Sequence, residues 1–297
     1  MRKLRVAVPA GIGDFSWIWS KLSTIKDAMW EFFPPDAFPY RTKQYVDLLP
    51  NCKGSLGQHT YPDILFWGGH HSSKTWKELV NSYEEDDIIY LEANKHLEAG
   101  KPLADFLPDL GTNYHYGFNL VDEPRLAYRY DNRPVLGFHM ASIRGIRAWN
   151  AWMPETWAEF LVMFRKANPD WTFVALGGQW DIDTLQELKG RLPEDFPLID
   201  LVGKTTISEA IRILDEVDYY IGFSSGLNVI RNVLDKPCTA LWPKHQVGLM
   251  YSHVDPRAIN DRSYTGYVYD TPERIYLRIK PKIRSIVRPE VAVCGSL

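Results

Sequence analysis

Residues 217–234 read VDYYIGFSSGLNVIRNVL, and this run decides the fold. Val217 to Ile221 is a β-branched and aromatic stretch, the composition of a buried strand, and Gly222 ends it. Ser224-Ser225-Gly226 then opens a segment that keeps helical spacing to Leu234. Strand, glycine turn and helix in that order form the unit of a parallel α/β sheet. The turn also carries chemistry. Glycine lets backbone approach a ligand, and a helix N-terminus offers free N–H groups with positive dipole character. Ser224 and Ser225 add hydroxyls and Asn228 an amide, so the turn predicts a cradle for a diphosphate. An ordinary helix cap is the plainer alternative.

Working outward, the unit repeats. On the N-terminal side, Pro134–His139 is a strand, and 154–167 is a helix with Pro154 in its first turn, where a missing N–H costs nothing. Trp171–Leu176 is a strand ending in Gly177-Gly178, 181–191 a helix, and Leu198–Val202 a strand ending at Gly203. Thr206–Glu216 is helical, with Ser208 as the cap if the helix starts late. After the opening run, Cys238–Trp242 is a strand, and Lys244-His245 follows it on the side where ligands bind. The pattern also appears at the N-terminus. Leu4–Pro9 leads into Gly11-Ile12-Gly13-Asp14, then a helix through Trp17, Ile18, Leu22 and Ile25. Strands at 63–67 (before Gly68-Gly69) and 87–91 flank a helix at 73–83. The charged, proline-bracketed stretch 122–134 has no periodicity and reads as a linker. A basic helix is predicted over 272–287.

Composition bounds the function. The 297 residues are 45 % hydrophobic and 24 % charged, which fits two globular domains and excludes a disordered chain. A net charge of −3 disfavours a protein built as a nucleic-acid clamp. Three cysteines, far apart, give neither metal spacing nor a disulfide framework, so a reducing, cytoplasmic setting is expected. The N-terminus reads as a strand and not a signal peptide, and no run of 18 apolar residues exists. Any membrane association is expected to be peripheral, at the inner membrane. The 11 Trp and 16 Tyr serve core packing, or else stacking platforms for sugars and bases.

Several residues stand where chemistry could occur. Ser142, Arg144 and Arg147 share a glycine-containing loop after a strand, where they could neutralise a diphosphate leaving group without a metal. Asp14, directly after the first glycine turn, could accept a proton from an acceptor hydroxyl, or simply cap the helix. His59, His70 and His71 lie near Gly68-Gly69 with no carboxylate or cysteine at ligand spacing, so His70 and His71 are candidates for acceptor contact and no metal is expected. Gly13 and Trp17 join them on the acceptor side. Neither a G-x-S-x-G elbow nor a Walker loop is present.

In family order, these pieces resemble the heptosyltransferase-like family of GT-B glycosyltransferases. They are Gly11–Asp14; Arg147-Ala148-Trp149-Asn150 with Pro154–Trp157; Ala175–Gly178; Leu201–Thr205 with Lys204; Glu209; and Ile221–Leu227. The resemblance is strong over 134–243 and limited to the first strand, turn and helix in the N-terminal half. It implies an α/β GT-B fold, two Rossmann-like domains facing across a cleft. The expected division is 1–131 on the acceptor side, 132–271 on the nucleotide-sugar side, and a basic helix and tail, 272–297, packing back toward the first domain. It also implies an inverting, metal-independent transfer with Asp14 as base, Arg147 on the donor diphosphate, Glu209 on the donor ribose, and Ser224, Ser225 and Gly226 holding the donor. Gly177, Gly178, Lys204, Asn228 and Lys244 complete the expected donor set. The expected partners are a nucleotide-sugar donor, as co-substrate and not as cofactor, and a glycan or lipid-linked acceptor, with the chain acting as a monomer. The chain departs from the family at Ser224, where aspartate is usual, and at Val229, where histidine is usual. Two other readings keep the fold. One is a phage-type DNA glycosyltransferase, for which the basic residues Arg274, Arg278, Lys280, Lys282, Arg284 and Arg288 speak; the other is a non-catalytic nucleotide-sugar-binding protein.

Overall fold

A computed structural model describes residues 2–7, 12–26, 28–33, 39–54, 64–67, 89–92, 110–120, 133–140, 152–223, 225–242, 263–267 and 270–286. The expected linker through residue 132 and the expected helix at 73–83 lie outside the described residues.

Two parallel sheets carry the fold. The first contains β1 (Arg2–Ala7), β2 (Ala28–Phe33), β3 (Cys52–Gly54), β4 (Ile64–Trp67) and β5 (Ile89–Glu92), in the order β3-β2-β1-β4-β5. The second contains β6 (Val135–His139), β7 (Thr172–Ala175), β8 (Leu198–Asp200), β9 (Tyr219–Phe223), β10 (Cys238–Trp242) and β11 (Ser263–Tyr267), in the order β11-β10-β9-β6-β7-β8. Their described pairings are all parallel. Strand order reverses between β1 and β4 in one sheet and between β6 and β9 in the other. Ligands bind such sheets beyond the carboxyl ends of the strands at these reversals. The fold is α/β GT-B, as the resemblance implied.

The helices are α1 (Ile12–Leu22), α2 (Pro39–Asp47), α3 (Pro154–Ala167), α4 (Ile182–Lys189), α5 (Ile207–Glu216), α6 (Gly226–Val233) and α7 (Pro272–Ile286). Pro154 begins α3, as expected. Thr206, and not Ser208, caps α5. Its Oγ1 accepts the Glu209 N–H at 3.2 Å while the Glu209 carboxylate accepts the Thr206 N–H at 2.7 Å. Thr-x-x-Glu is the sequence signature of this reciprocal cap.

Apolar burial makes two cores. In one, Phe15, Ile18 and Trp19 of α1, Trp30 and Phe32 of β2, and Tyr45 and Val46 of α2 join Ile211, Leu214 and Tyr220 of the second half. Edge-to-face aromatic pairs fill it, with the Phe15 and Phe32 ring centroids 4.8 Å apart. This core spans both halves. The other lies on the opposite face of the second sheet, where Trp157, Phe160 and Phe164 of α3 pack with Phe138, Phe173 and Ile221. The described part of the C-terminal helix packs on the second half. Ile275, Tyr276, Ile279 and Ile283 form an apolar stripe on α7 that enters this second core against α3, and the Tyr276 ring centroid lies 5.9 Å from that of Phe164.

Candidate functional site

The two strand-order reversals meet through two helix N-termini. α1 starts after β1, and α6 starts after β9. A Cβ placed on Gly226, the first residue of α6, would lie 3.1 Å from the Cβ of Ile12, the first residue of α1. One placed on Gly13 would lie 3.9 Å from Val229 Cγ2. Glycine at both positions allows the approach. The Asp14 backbone therefore sits in the first turn of α1, beside the first turn of α6. The Asp14 and Trp17 side chains lie outside the described residues, as do Ser142, Arg144, Arg147, Ser224, Lys244, His59, His70 and His71.

Ser225 is the N-cap residue of α6 in extended backbone, and its Oγ is 3.3 Å from Nδ1 of His139, the last residue of β6. His139 and Gly222 are register partners across β6 and β9. On the other side of the ring, His139 Nε2 lies 3.2 Å from Asp181 Oδ2, which also accepts the Gly178 N–H at 2.8 Å. His139 is 5 % exposed and Asp181 2 %, so water competes little for this chain of bonds. The glycines at 177 and 178 serve this chain. A Cβ on Gly177 would meet Asp181 Oδ2 at 2.6 Å, and one on Gly178 would meet the Trp180 ring at 2.5 Å. Gly203, at φ +70°, holds the same loop by giving its N–H to Gly177 O at 3.0 Å.

Two further groups complete the site. The Arg41 guanidinium, from α2 of the first half, lies 4.9 Å over the Trp180 ring. Burial lowers its pKa, and the Asp181 charge works against that shift. The Tyr220 hydroxyl is fully buried beside Ser225, too poorly aligned among the described residues to make a well-formed hydrogen bond with it. It lies 2.8 Å from where a Gly222 Cβ would stand, at the strand position paired with His139. Burial raises its pKa well above the usual value.

Ser225, Gly226, Gly13 and the Asp14 backbone are thus brought together. Four other expected donor residues have their polar groups turned to the protein itself. Gly178 gives its N–H to Asp181. The Glu209 carboxylate caps α5. Lys204 Nζ lies 3.0 Å from Asp200 Oδ2 at the surface. Asn228 is 2 % exposed, with its amide nitrogen directed at Thr239 O. The expectations missed His139, Asp181, Trp180, Arg41 and Tyr220. For His139 the signal was present: a histidine ends the central strand at a reversal point. Among the described residues no group of three or more His, Cys, Asp or Glu could hold a metal ion, and no helix is long and apolar enough to cross a membrane.

The model of the family described as glycosyltransferase family 9 (heptosyltransferase) matches residues 112–263, just over half of the chain. No curated protein matches. Among solved structures, the chain is similar to E. coli ADP-heptose lps heptosyltransferase II, at TM-score 0.70 and 15 % identity over 96 % of this chain and 99 % of that one. It is similar to a glycosyl transferase family 9 protein from Veillonella parvula at TM-score 0.69 and 14 % identity, over 96 % and 97 %. It is also similar to the dodecameric iron-containing heptosyltransferase TibC from enterotoxigenic E. coli, solved with ADP-D-beta-D-heptose, at TM-score 0.54 and 15 % identity, over 96 % and 77 %.

Proposed function

The chain belongs to glycosyltransferase family 9, the heptosyltransferase family, and from that premise we propose how it transfers sugar. A nucleotide-diphosphate sugar lies against the second half (132–271), with its diphosphate at the N-terminus of α6. A glycan or lipid-linked acceptor hydroxyl enters from the first half (1–131). Asp14 takes the proton of that hydroxyl, which attacks the sugar carbon in a single displacement with inversion. Arg147 and the α6 amides stabilise the departing nucleoside diphosphate, so no metal ion is used. The chain works as a monomer.

One observation carries this reading: the helix that bears Asp14 and the helix that starts at Ser225 meet N-terminus to N-terminus, beyond the carboxyl ends of both sheets. An amide-rich helix start suits a departing anion, and an aspartate in the first turn of the facing helix suits an incoming alcohol. The bound nucleotide sugar in TibC supports the choice of donor class.

The test is a thermal-shift panel of nucleotide sugars. A donor at 100 times its Kd adds about 2.7 kcal/mol to stability. With the donor that shifts the melt and a pool of bacterial lipid-linked glycans, Asp14→Asn is expected to bind donor normally and release no nucleoside diphosphate. The wild type is expected to turn over in EDTA. Full turnover by Asp14→Asn removes Asp14 from the chemistry, loss in EDTA removes the metal-free step, and a flat panel removes the proposal.

A further inference from the structure

The chain Ser225–His139–Asp181 has a direction. Asp181 Oδ2 accepts from a backbone N–H and stands 3.2 Å from His139 Nε2, so that ring nitrogen carries a proton. In the neutral imidazole Nδ1 is then an acceptor, and the partner it faces at 3.3 Å is the Ser225 hydroxyl. Ser225 donates inward in this state. With its hydrogen committed to the ring, the Ser225 oxygen at the α6 N-terminus has only lone pairs to offer an anion, and lone pairs repel an anion. Protonating Nδ1 reverses the bond. The imidazolium donates to Ser225 Oγ, and the hydroxyl hydrogen turns outward as a donor.

We propose that His139 is a positioning residue that couples binding of the anionic donor to uptake of one proton from solvent. The proposal rests on the donor site described above. Binding of the diphosphate favours the imidazolium by its charge and by the hydroxyl it frees. The new charge has a partner in place, because Asp181 already holds the opposite nitrogen in a buried pair. Charged and titratable groups near the ring pull both ways. Asp181 favours the proton; the α6 N-terminus and Arg41, beyond Trp180, oppose it; Tyr220 contributes a buried neutral hydroxyl beside Ser225. With two opposing groups, the bound anion is what completes the charge balance. No bond between heavy atoms forms or breaks.

Calorimetric titration in HEPES and in Tris, which differ in ionisation enthalpy, reads the proton directly. ADP-glucose is the first probe, replaced by whichever nucleotide sugar shifts the melt. Such a probe lacks a terminal phosphate with a second pKa near about 6, so it exchanges no proton itself. Wild-type protein is expected to take up close to one proton on binding at alkaline pH, with affinity falling as pH rises. His139→Gln is expected to bind with no uptake and a flat pH profile, and Ser225→Ala, which keeps the ring but loses the hydroxyl, with reduced uptake. Should His139→Gln fail to fold, the wild-type measurement and Ser225→Ala still decide. Binding by the wild type without proton uptake overturns this inference and leaves the proposed function standing. A panel in which no nucleotide sugar binds overturns both.

Discussion

A single methyl at Gly226 is expected to slow transfer without unfolding the protein. The added Cβ would stand 3.1 Å from Ile12 Cβ and 3.4 Å from Ile12 Cγ2. Carbon atoms settle at about 3.5–4.0 Å, so the two helix starts must part by about 0.5 Å. For stability the terms oppose each other: alanine in place of glycine in a helix gains about 0.5–1 kcal/mol, and overpacking of this size costs about 1 kcal/mol. Rate is more sensitive. A misplacement of about 1 Å costs roughly a hundredfold, so half of it predicts about a tenfold loss of kcat, or ~1.4 kcal/mol of barrier. The assay is steady-state release of nucleoside diphosphate, with melting measured on the same preparations. Ile12→Gly removes the Cβ that the added methyl meets and is expected to restore about threefold of the loss in the double variant. The two changes would then be coupled, as residues in contact are. If Gly226→Ala keeps kcat within about twofold, or if the two changes act additively, the helix starts do not set the reacting geometry.

Two further outcomes concern stability. Arg231 is fully buried and gives Nε to Pro237 O at 3.1 Å, Nη2 to Asp218 O at 3.2 Å, and Nη1 to Leu214 O. Burial pulls its pKa down to about 10, which leaves it charged at neutral pH. Arg231→Met takes the donor from Leu214 O and Asp218 O, while Pro237 O keeps the Tyr220 N–H, and is expected to cost about 2–5 kcal/mol in urea unfolding; Arg231→Lys should rescue little, because one ammonium cannot span all three. A loss under about 1 kcal/mol would refute the staple. Tyr45 joins Ser16 at 2.9 Å and Tyr116 at 2.8 Å, and burial pushes its pKa up to about 12 against an unfolded value near about 10. A raised folded pKa means stability that is whole below about pH 10 and is lost as pH rises toward 12. Tyr45→Phe is expected to cost about 1 kcal/mol at pH 8 and to flatten the alkaline loss; parallel loss in both proteins would show that Tyr45 does not drive it.

The second half was legible because its strands are buried on both faces and read as short apolar runs broken by glycine. β6, β7, β9 and β10 follow this pattern closely. The first half was harder. β2 (Ala28–Phe33) carries Glu31 in mid-strand and alternates in exposure, with Met29 half out in solvent, so it resembles neither a continuous run nor a polar edge. β3 has three residues, too few for any periodicity. α2, with Arg41, Lys43, Gln44 and Asp47, looks polar all round in one dimension. Only its packing shows that Thr42, Tyr45 and Val46 form a buried face. The site followed the same division. Ser225 and Gly226 announced themselves by local chemistry. His139, Asp181 and Arg41 come from three separate stretches, and nothing in any one stretch says that they converge.

That convergence bears on the residues by which this chain departs from its family. Val229 stands where the family resemblance has histidine, and its Cγ2 is 3.9 Å from the Cβ position of Gly13, so position 229 points toward the start of α1. Valine there brings the helix starts together through apolar contact but supplies no charge to a diphosphate. Among the described residues the positive character near Ser225 then comes from the α6 amides, from Arg41 on the far side of Trp180, and, on the proposal above, from a proton taken up on binding. Of these, only the proton is exchangeable. Replacing Val229 by His should therefore supply a second ionisable ring at the cleft. Proton uptake by the Ser225→Ala, Val229→His double variant should return without restoring the hydroxyl. If the double variant binds no better at low pH than Ser225→Ala alone, position 229 does not face the anion, and the charge of the donor site lies wholly with the groups around His139.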